Sequence, residues 1–176
     1  MTLLSSRFSD VGVSSIRDGQ YYGAALRLIC GCQHQCFASI FIVDHDLERD
    51  FELRVDRLLL ELAGASWRGV STRLLIGGSR DNPAIRGAAL LAWDRARELG
   101  VETRLAAASK GQSSHVKLLV ADHLVLTGSH NWSHGMFGSE TQDSVLLDSP
   151  ALAAALRPYF DERWLRARND EYDVSV

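Results

Sequence analysis

Apolar residues along the chain recur with two different periods. Residues 36–43 (CFASIFIV) form a compact apolar run rich in β-formers and bounded by Asp44, which predicts a buried strand. Phe51, Val55, Leu58, Leu59 and Leu62 then fall at helical spacing and predict a helix over about 50–63. Residues 70–76 read as a second strand, closed by Gly77-Gly78. The next helix is well punctuated. Asp81 or Asn82 can cap it and Pro83 fits its first turn. Ile85, Ala89, Ala92, Ala96 and Leu99 line one face, and Gly100 ends it.

The flanks complete the pattern. Residues 1 to about 20 are polar and small, without a clear period, and are expected to be a loosely held lead-in. A short helix is expected over 21–31. After the second long helix come a strand over 101–105, a small-residue loop over 106–114, and strands over 115–120, 123–127 and 144–147. Ser149-Pro150 opens a last helix, which Pro158 is expected to bend or stop. Alternating helices and strands followed by hairpin strands predict an α/β (α+β) sandwich: a mixed β-sheet with helices on both faces, in one domain over 21–176.

Composition narrows the class. The chain has 176 residues, of which 46% are hydrophobic and 23% charged, as in an ordinary globular domain with a real core. The net charge is −3, which argues against coating nucleic acid or anionic membrane by bulk charge, though not against a local basic cleft. No apolar run approaches the roughly 18 to 20 residues that span a bilayer, so no stable membrane insertion is expected. The start of the chain has no signal-peptide pattern, and its three cysteines are odd in number and local, so a reducing, cytoplasmic setting is expected. Lysine is scarce: Lys110 and Lys117 stand against seventeen arginines.

The chemistry gathers in residues 114–147. On a strand His115 and Lys117 share a face, Asp122 falls at the following turn, and the next strand leads into Gly128-Ser129-His130-Asn131. If the two strands pair, His115, Lys117, Ser129 and Asn131 meet at one rim of the sheet. An imidazole beside a cation, an amide and a hydroxyl makes a receptor for a phosphate oxyanion.

His115-x-Lys117-x4-Asp122 followed by Gly128-Ser129-x-Asn131 resembles the HKD motif of the phospholipase D superfamily. The run GSHNWS looks most like its small, single-motif members, the Nuc-like endonucleases and Zucchini-like enzymes. The resemblance covers about 21–164. Five residues separate Asp122 from Gly128, where the family usually has six, which makes the hairpin turn one residue tighter with Asp122-His123 at its apex. The family also carries an acidic residue on the following strand; Asp143-Ser144-Val145 fits that slot, with Glu140 as the alternative.

The resemblance implies a metal-independent phosphodiesterase without a cofactor. One histidine attacks phosphorus to form a phosphohistidine, and a second protonates the leaving oxygen and then activates water. Lysine and asparagine neutralise the non-bridging oxygens, and an acidic residue orients the imidazole. The site residues so implied are His115, Lys117, Asp122, Ser129, Asn131 and Asp143. This reaction uses two histidines and two lysines, and no internal repeat supplies a second motif. The implied assembly is a homodimer with its site on a two-fold axis. A nuclease acting on single-stranded DNA or RNA is favoured over a phospholipase or phosphatidyl-transferase, and both over a non-catalytic phosphate-binding subunit.

Other groups read more plainly. Cys30, Cys32, His34 and Cys36 invite a zinc site but lack the C-x2-C pair, so no metal is assigned to them. His123, His130 and His134 read as surface loop histidines, with His130 at the variable position of the GSxN element. Arg68, Arg73, Arg80, Arg86, Arg95 and Arg97 read as solvated or salt-bridged faces, and Trp132 as a core anchor rather than a stacking platform.

Overall fold

The structure is a computed structural model and describes residues 8–48, 50, 52–79, 81–106 and 114–167. In chain order the elements are β1 (Gly12–Arg17), α1 (Gln20–Gly31), β2 (Gln35–Ile40), α2 (Arg54–Trp67), β3 (Ser71–Ile76), α3 (Pro83–Glu98), β4 (Glu102–Leu105), β5 (Lys117–Ala121), β6 (Leu124–Gly128), β7 (Asp143–Asp148) and α4 (Pro150–Arg166). The strands form one seven-stranded sheet in the order β1-β7-β6-β5-β2-β3-β4. β2, β3 and β4 run parallel, as helix crossovers require, and the remaining pairs are antiparallel.

Helices cover both faces. Buried residues of α1, α2 and α3, among them Ile29, Leu58, Leu62 and Ala92, pack with Ala38, Leu74, Leu119 and Leu126 from the sheet. On the other face Phe160 and Trp164 of α4 pack with Phe37, Leu75, Val120 and Val125. This is the mixed, doubly covered sandwich that the hydrophobic pattern predicts.

Local rules account for most boundaries. Asn82 caps α3, its Oδ1 accepting from the amides of Ala84 (3.1 Å) and Ile85 (3.2 Å), with Pro83 in the first turn. Ser149 caps α4 through the Leu152 amide at 3.2 Å. α2 begins later than expected, because Asp50 turns its carboxylate onto the Val55 amide at 2.8 Å and Leu53 adopts a left-handed φ of 53°. Phe51, Arg80 and Lys110, which figure in the sequence reading, lie outside the described residues.

Three expectations are corrected. The segment expected as a lead-in contains β1, whose six residues all pair with β7. Its side chains are exposed except for a half-buried Ile16, so this edge strand rests on backbone hydrogen bonds and leaves no hydrophobic alternation to read. Pro158 lies inside α4 and does not stop it, since Phe160 and Trp164 beyond it are buried against the sheet. The run over 36–43 pairs as a strand only to Ile40; Val43 instead bridges Trp132, and the Trp132 amide donates to the Ile42 carbonyl at 3.0 Å.

Candidate active site

Registers across the sheet build one rim from the ends of β1, β2, β3, β4 and β6 and the starts of β5 and β7. Ile40 lies opposite Lys117, Gly128 opposite Ser144, and Arg17 opposite Asp143. The β5–β6 hairpin turns through Asp122 and His123 at the opposite end of the sheet, as tightly as the spacing predicts.

His115 immediately precedes β5 and is exposed, whereas Lys117, two residues on, is only 6% exposed. The Lys117 ammonium lies 3.0 Å from both Nδ1 and Nε2 of His115 and donates to the His115 carbonyl at 3.2 Å. The two ring nitrogens flank Cε1. A position in the ring plane equally near both would overlap that carbon, so the ammonium sits over the ring face. The in-plane lone pair and N–H of the imidazole are therefore not spent on Lys117. Phe41, at the end of β2, closes the cluster: its ring centroid is 4.6 Å from that of His115, and Lys117 Nζ lies 4.9 Å from it.

Burial lowers the Lys117 pKa to about 8, so the amine is still mostly cationic at neutral pH but within reach of deprotonation. Burial and then the Lys117 charge hold His115 below its ordinary 6.5, favouring the neutral, nucleophilic ring.

Asn131 is buried, and its Oδ1 accepts from the Ile42 amide at 3.1 Å. That bond sets the orientation of the side-chain amide and leaves its NH2 end as the donor. Ser129 stands at the rim, but its hydroxyl is engaged within the protein. It donates to Gln142 Oε1, accepts from the Asp143 amide at 3.1 Å, and so ties the end of β6 to the start of β7. Asp143 is thereby held at the exposed rim, where its charge favours the protonated form of neighbouring His130. Among the described residues, the ring contacts of His115 are with Lys117 and Phe41 and not with Asp143. Glu140, the alternative acid, lies against Gly135.

Asp122 does not join this cluster. It sits at the far end of β5, where its carboxylate accepts from the amides of Gln33 (2.7 Å), His34 (2.9 Å) and Gln35 (3.0 Å). Burial alone would raise its pKa, but these amides outweigh it and hold the carboxyl below its usual range. Of the residues the motif implies, Asp122 is thus placed apart from His115 and Lys117, where it joins the β5–β6 turn to the α1–β2 connection.

His130 is not a surface histidine. It is fully buried, stacked on Tyr21 with centroids 4.4 Å apart. Its Nε2 lies 3.1 Å from the Asp18 carbonyl, which can only accept, so Nε2 carries the proton and Nδ1 accepts from Ser144 Oγ at 2.7 Å. Trp132 is a core anchor, fully buried with its indole N–H donating to Tyr21 Oη at 3.2 Å. Cys32 donates to the Ile29 carbonyl and Cys30 to Glu61. Arg73 pairs with Asp161, and Arg95 with Asp56. Phe41 is the site residue that sequence reasoning missed. Its only signal is its place one residue past Ile40, which becomes informative once the β2–β5 register is known.

The sequence matches the family described as "Cardiolipin synthase, PLD-like domain" over residues 26–164. No curated protein matches it. Among solved structures, it resembles Nuc from Salmonella typhimurium, a phospholipase D family member, with a TM-score of 0.74 and 18% identity over 93% of this chain and 100% of that one. NucT from Helicobacter pylori gives a TM-score of 0.65 and 13% identity over 90% and 98%. The phosphatidylserine synthase of Haemophilus influenzae gives 0.68 and 13% over 94% of this chain and 41% of that one.

Proposed function

The chain belongs to the phospholipase D superfamily, and from that premise we propose that it is a metal-independent phosphodiesterase, in the first place a nuclease, working at a site shared by two copies of the chain. The carrying observation is the Lys117 ammonium held over the face of His115 at the sheet rim.

In this reading a ring nitrogen of His115 attacks phosphorus in line with the leaving oxygen. The phosphorus–oxygen bond breaks, and His115 of the second copy gives that oxygen its proton. Water, deprotonated by the same second histidine, then displaces the phosphohistidine and returns both rings to their starting states. Lys117 and the Asn131 amide offset charge on the non-bridging oxygens throughout, a role that otherwise calls for a metal ion. The chain offers one such histidine–lysine pair, which supports a homodimer. Asp143, at the exposed rim, is the acid assigned to imidazole orientation.

Single-stranded DNA or RNA is the preferred substrate. The net charge of −3 weighs against indiscriminate duplex binding. The family description and the likeness to a phosphatidylserine synthase favour lipid head groups as the second reading. A cleavage panel in EDTA separates them: single- and double-stranded DNA, RNA, a bis-aryl phosphodiester and phospholipid vesicles, with His115→Ala as control. Nucleic-acid cleavage that His115→Ala abolishes supports the nuclease; faster release of lipid head groups moves the assignment to lipids. If His115→Ala leaves every activity unchanged, the catalytic reading fails.

A further inference from the structure

We propose that Phe41 is a positioning residue of this site, holding the Lys117 ammonium against the face of His115 and keeping water from it. The inference rests on the reading of His115 and Lys117 as the reacting pair.

Three observations carry it. First, the Phe41 ring touches both groups at once, 4.6 Å from the His115 ring centroid and 4.9 Å from Lys117 Nζ. The ammonium thus lies against both aromatic rings at once, with the two rings also in contact with each other, an arrangement that favours the cation while removing part of its hydration. Second, the contact is built into the end of the sheet. Phe41 follows Ile40, the β2 residue opposite Lys117, and is itself 7% exposed. Third, the neighbouring strand end makes room for it. A Cβ on Gly77 would come within 2.6 Å of the Phe41 Cα and 2.8 Å of the Ser114 carbonyl, so the missing side chain lets β3, Phe41 and the segment entering His115 close together.

Burial is what brings the Lys117 pKa to about 8 from its ordinary 10.5, and Phe41 supplies part of that burial. The leucine side chain would preserve the cover without the aromatic face; alanine would remove both.

The test uses lysine labelled with carbon-13, and Lys110→Arg leaves Lys117 as the sole signal. In the otherwise unaltered protein Lys117 titrates near 8. In Phe41→Ala it titrates at least about one pH unit higher. In Phe41→Leu it stays close to the starting value. On the bis-aryl phosphodiester, Phe41→Ala loses about 100-fold in kcat with little change in KM, and its alkaline limb moves up with the lysine. Phe41→Leu loses about tenfold with the limb unmoved. An ordinary lysine titration before any change at Phe41, or an identical one in Phe41→Ala, overturns the proposal. If alanine prevents folding, an unchanged kcat in Phe41→Leu overturns it as well. Absence of hydrolysis by the parent protein defeats the phosphodiesterase reading instead, and the lysine titration still decides the role of Phe41.

Discussion

The Lys117 ammonium is equidistant from the two ring nitrogens of His115, at 3.0 Å each, and so rests on the imidazole face and not at its edge. A lysine in the ring plane would occupy the nitrogen that, in the proposed reaction, attacks phosphorus. One on the face offers charge beside the reacting centre without blocking it.

That geometry requires a compact cation. Arginine at 117 keeps the charge but brings a broad planar group against the contacting rings of Phe41 and His115. Lys117→Arg is expected to lose at least about 100-fold in kcat/KM on a bis-aryl phosphodiester, approaching the loss in Lys117→Met. Near-normal activity in the arginine variant would show that charge alone suffices.

The same pair sets a pH window. In the proposed reaction His115 of one copy attacks when neutral, and its pKa lies below 6.5, so activity is expected to rise as pH increases through the range beneath that value. Lys117 acts as a cation, and activity falls as pH rises through about 8. Because His115 of the second copy must carry the proton it gives, kcat/KM is expected to peak on the acid side of neutrality, where one ring of the pair is neutral and the other protonated, and to fall more steeply above about 8 as Lys117 loses its charge. An alkaline limb near 10 would contradict the buried-lysine account.

Asp122 is expected to affect stability and not chemistry. Asp122→Ala leaves the amides of Gln33, His34 and Gln35 without their acceptor, at a cost of about 1.5–3 kcal/mol in urea unfolding. Its lowered pKa means that this stabilisation is present above the ordinary carboxylate value of 3.8 and is lost as pH falls below it. Activity per folded molecule should stay within about twofold of the parent. A collapse of kcat in a folded Asp122→Ala protein would return this residue to the chemistry.

His130 makes a different acid-sensitive contribution. Burial keeps it neutral and lowers its pKa from 6.5. Below that value the unfolded chain binds a proton that the folded chain resists, so stability falls with pH. His130→Gln should flatten the dependence of unfolding free energy on pH between about 7 and 5. Equal slopes would mean that His130 is not held neutral.

The shared-site proposal predicts a dimer in solution, measured by light scattering at the concentrations used for assays. A monomer with full activity would end it. Mixing Lys117→Met with His115→Ala chains should restore little activity if both copies must supply both groups. Recovery to about half would instead mean that the two copies divide the roles.

The β5–β6 hairpin illustrates what could be read from residues alone. The spacing of Asp122 and His123 between two apolar runs states both the strands and their two-residue turn, because strand period and turn length are local properties. The same spacing says nothing about which end of β5 carries the chemistry. Asp122 belongs to the motif in sequence but lies at the opposite end of the strand from His115, since a strand of five residues separates its two ends in space.

By itself, the sequence determined the succession of helices and strands from α1 onward, the capping of α3, and the presence of one histidine–lysine pair in a motif of the superfamily. Each follows from periods and spacings within a short stretch. Tertiary structure alone decided the pairing of β1, the burial of His130, the anchoring role of Asp122 and the contact of Phe41 with His115 and Lys117. The reason is common to all four. Backbone pairing at a sheet edge leaves no pattern of side chains, and the environment of a polar or aromatic group is set by segments far away in the chain. Phe41 and His115 are 74 positions apart, and only the antiparallel register of β2 with β5 brings them together.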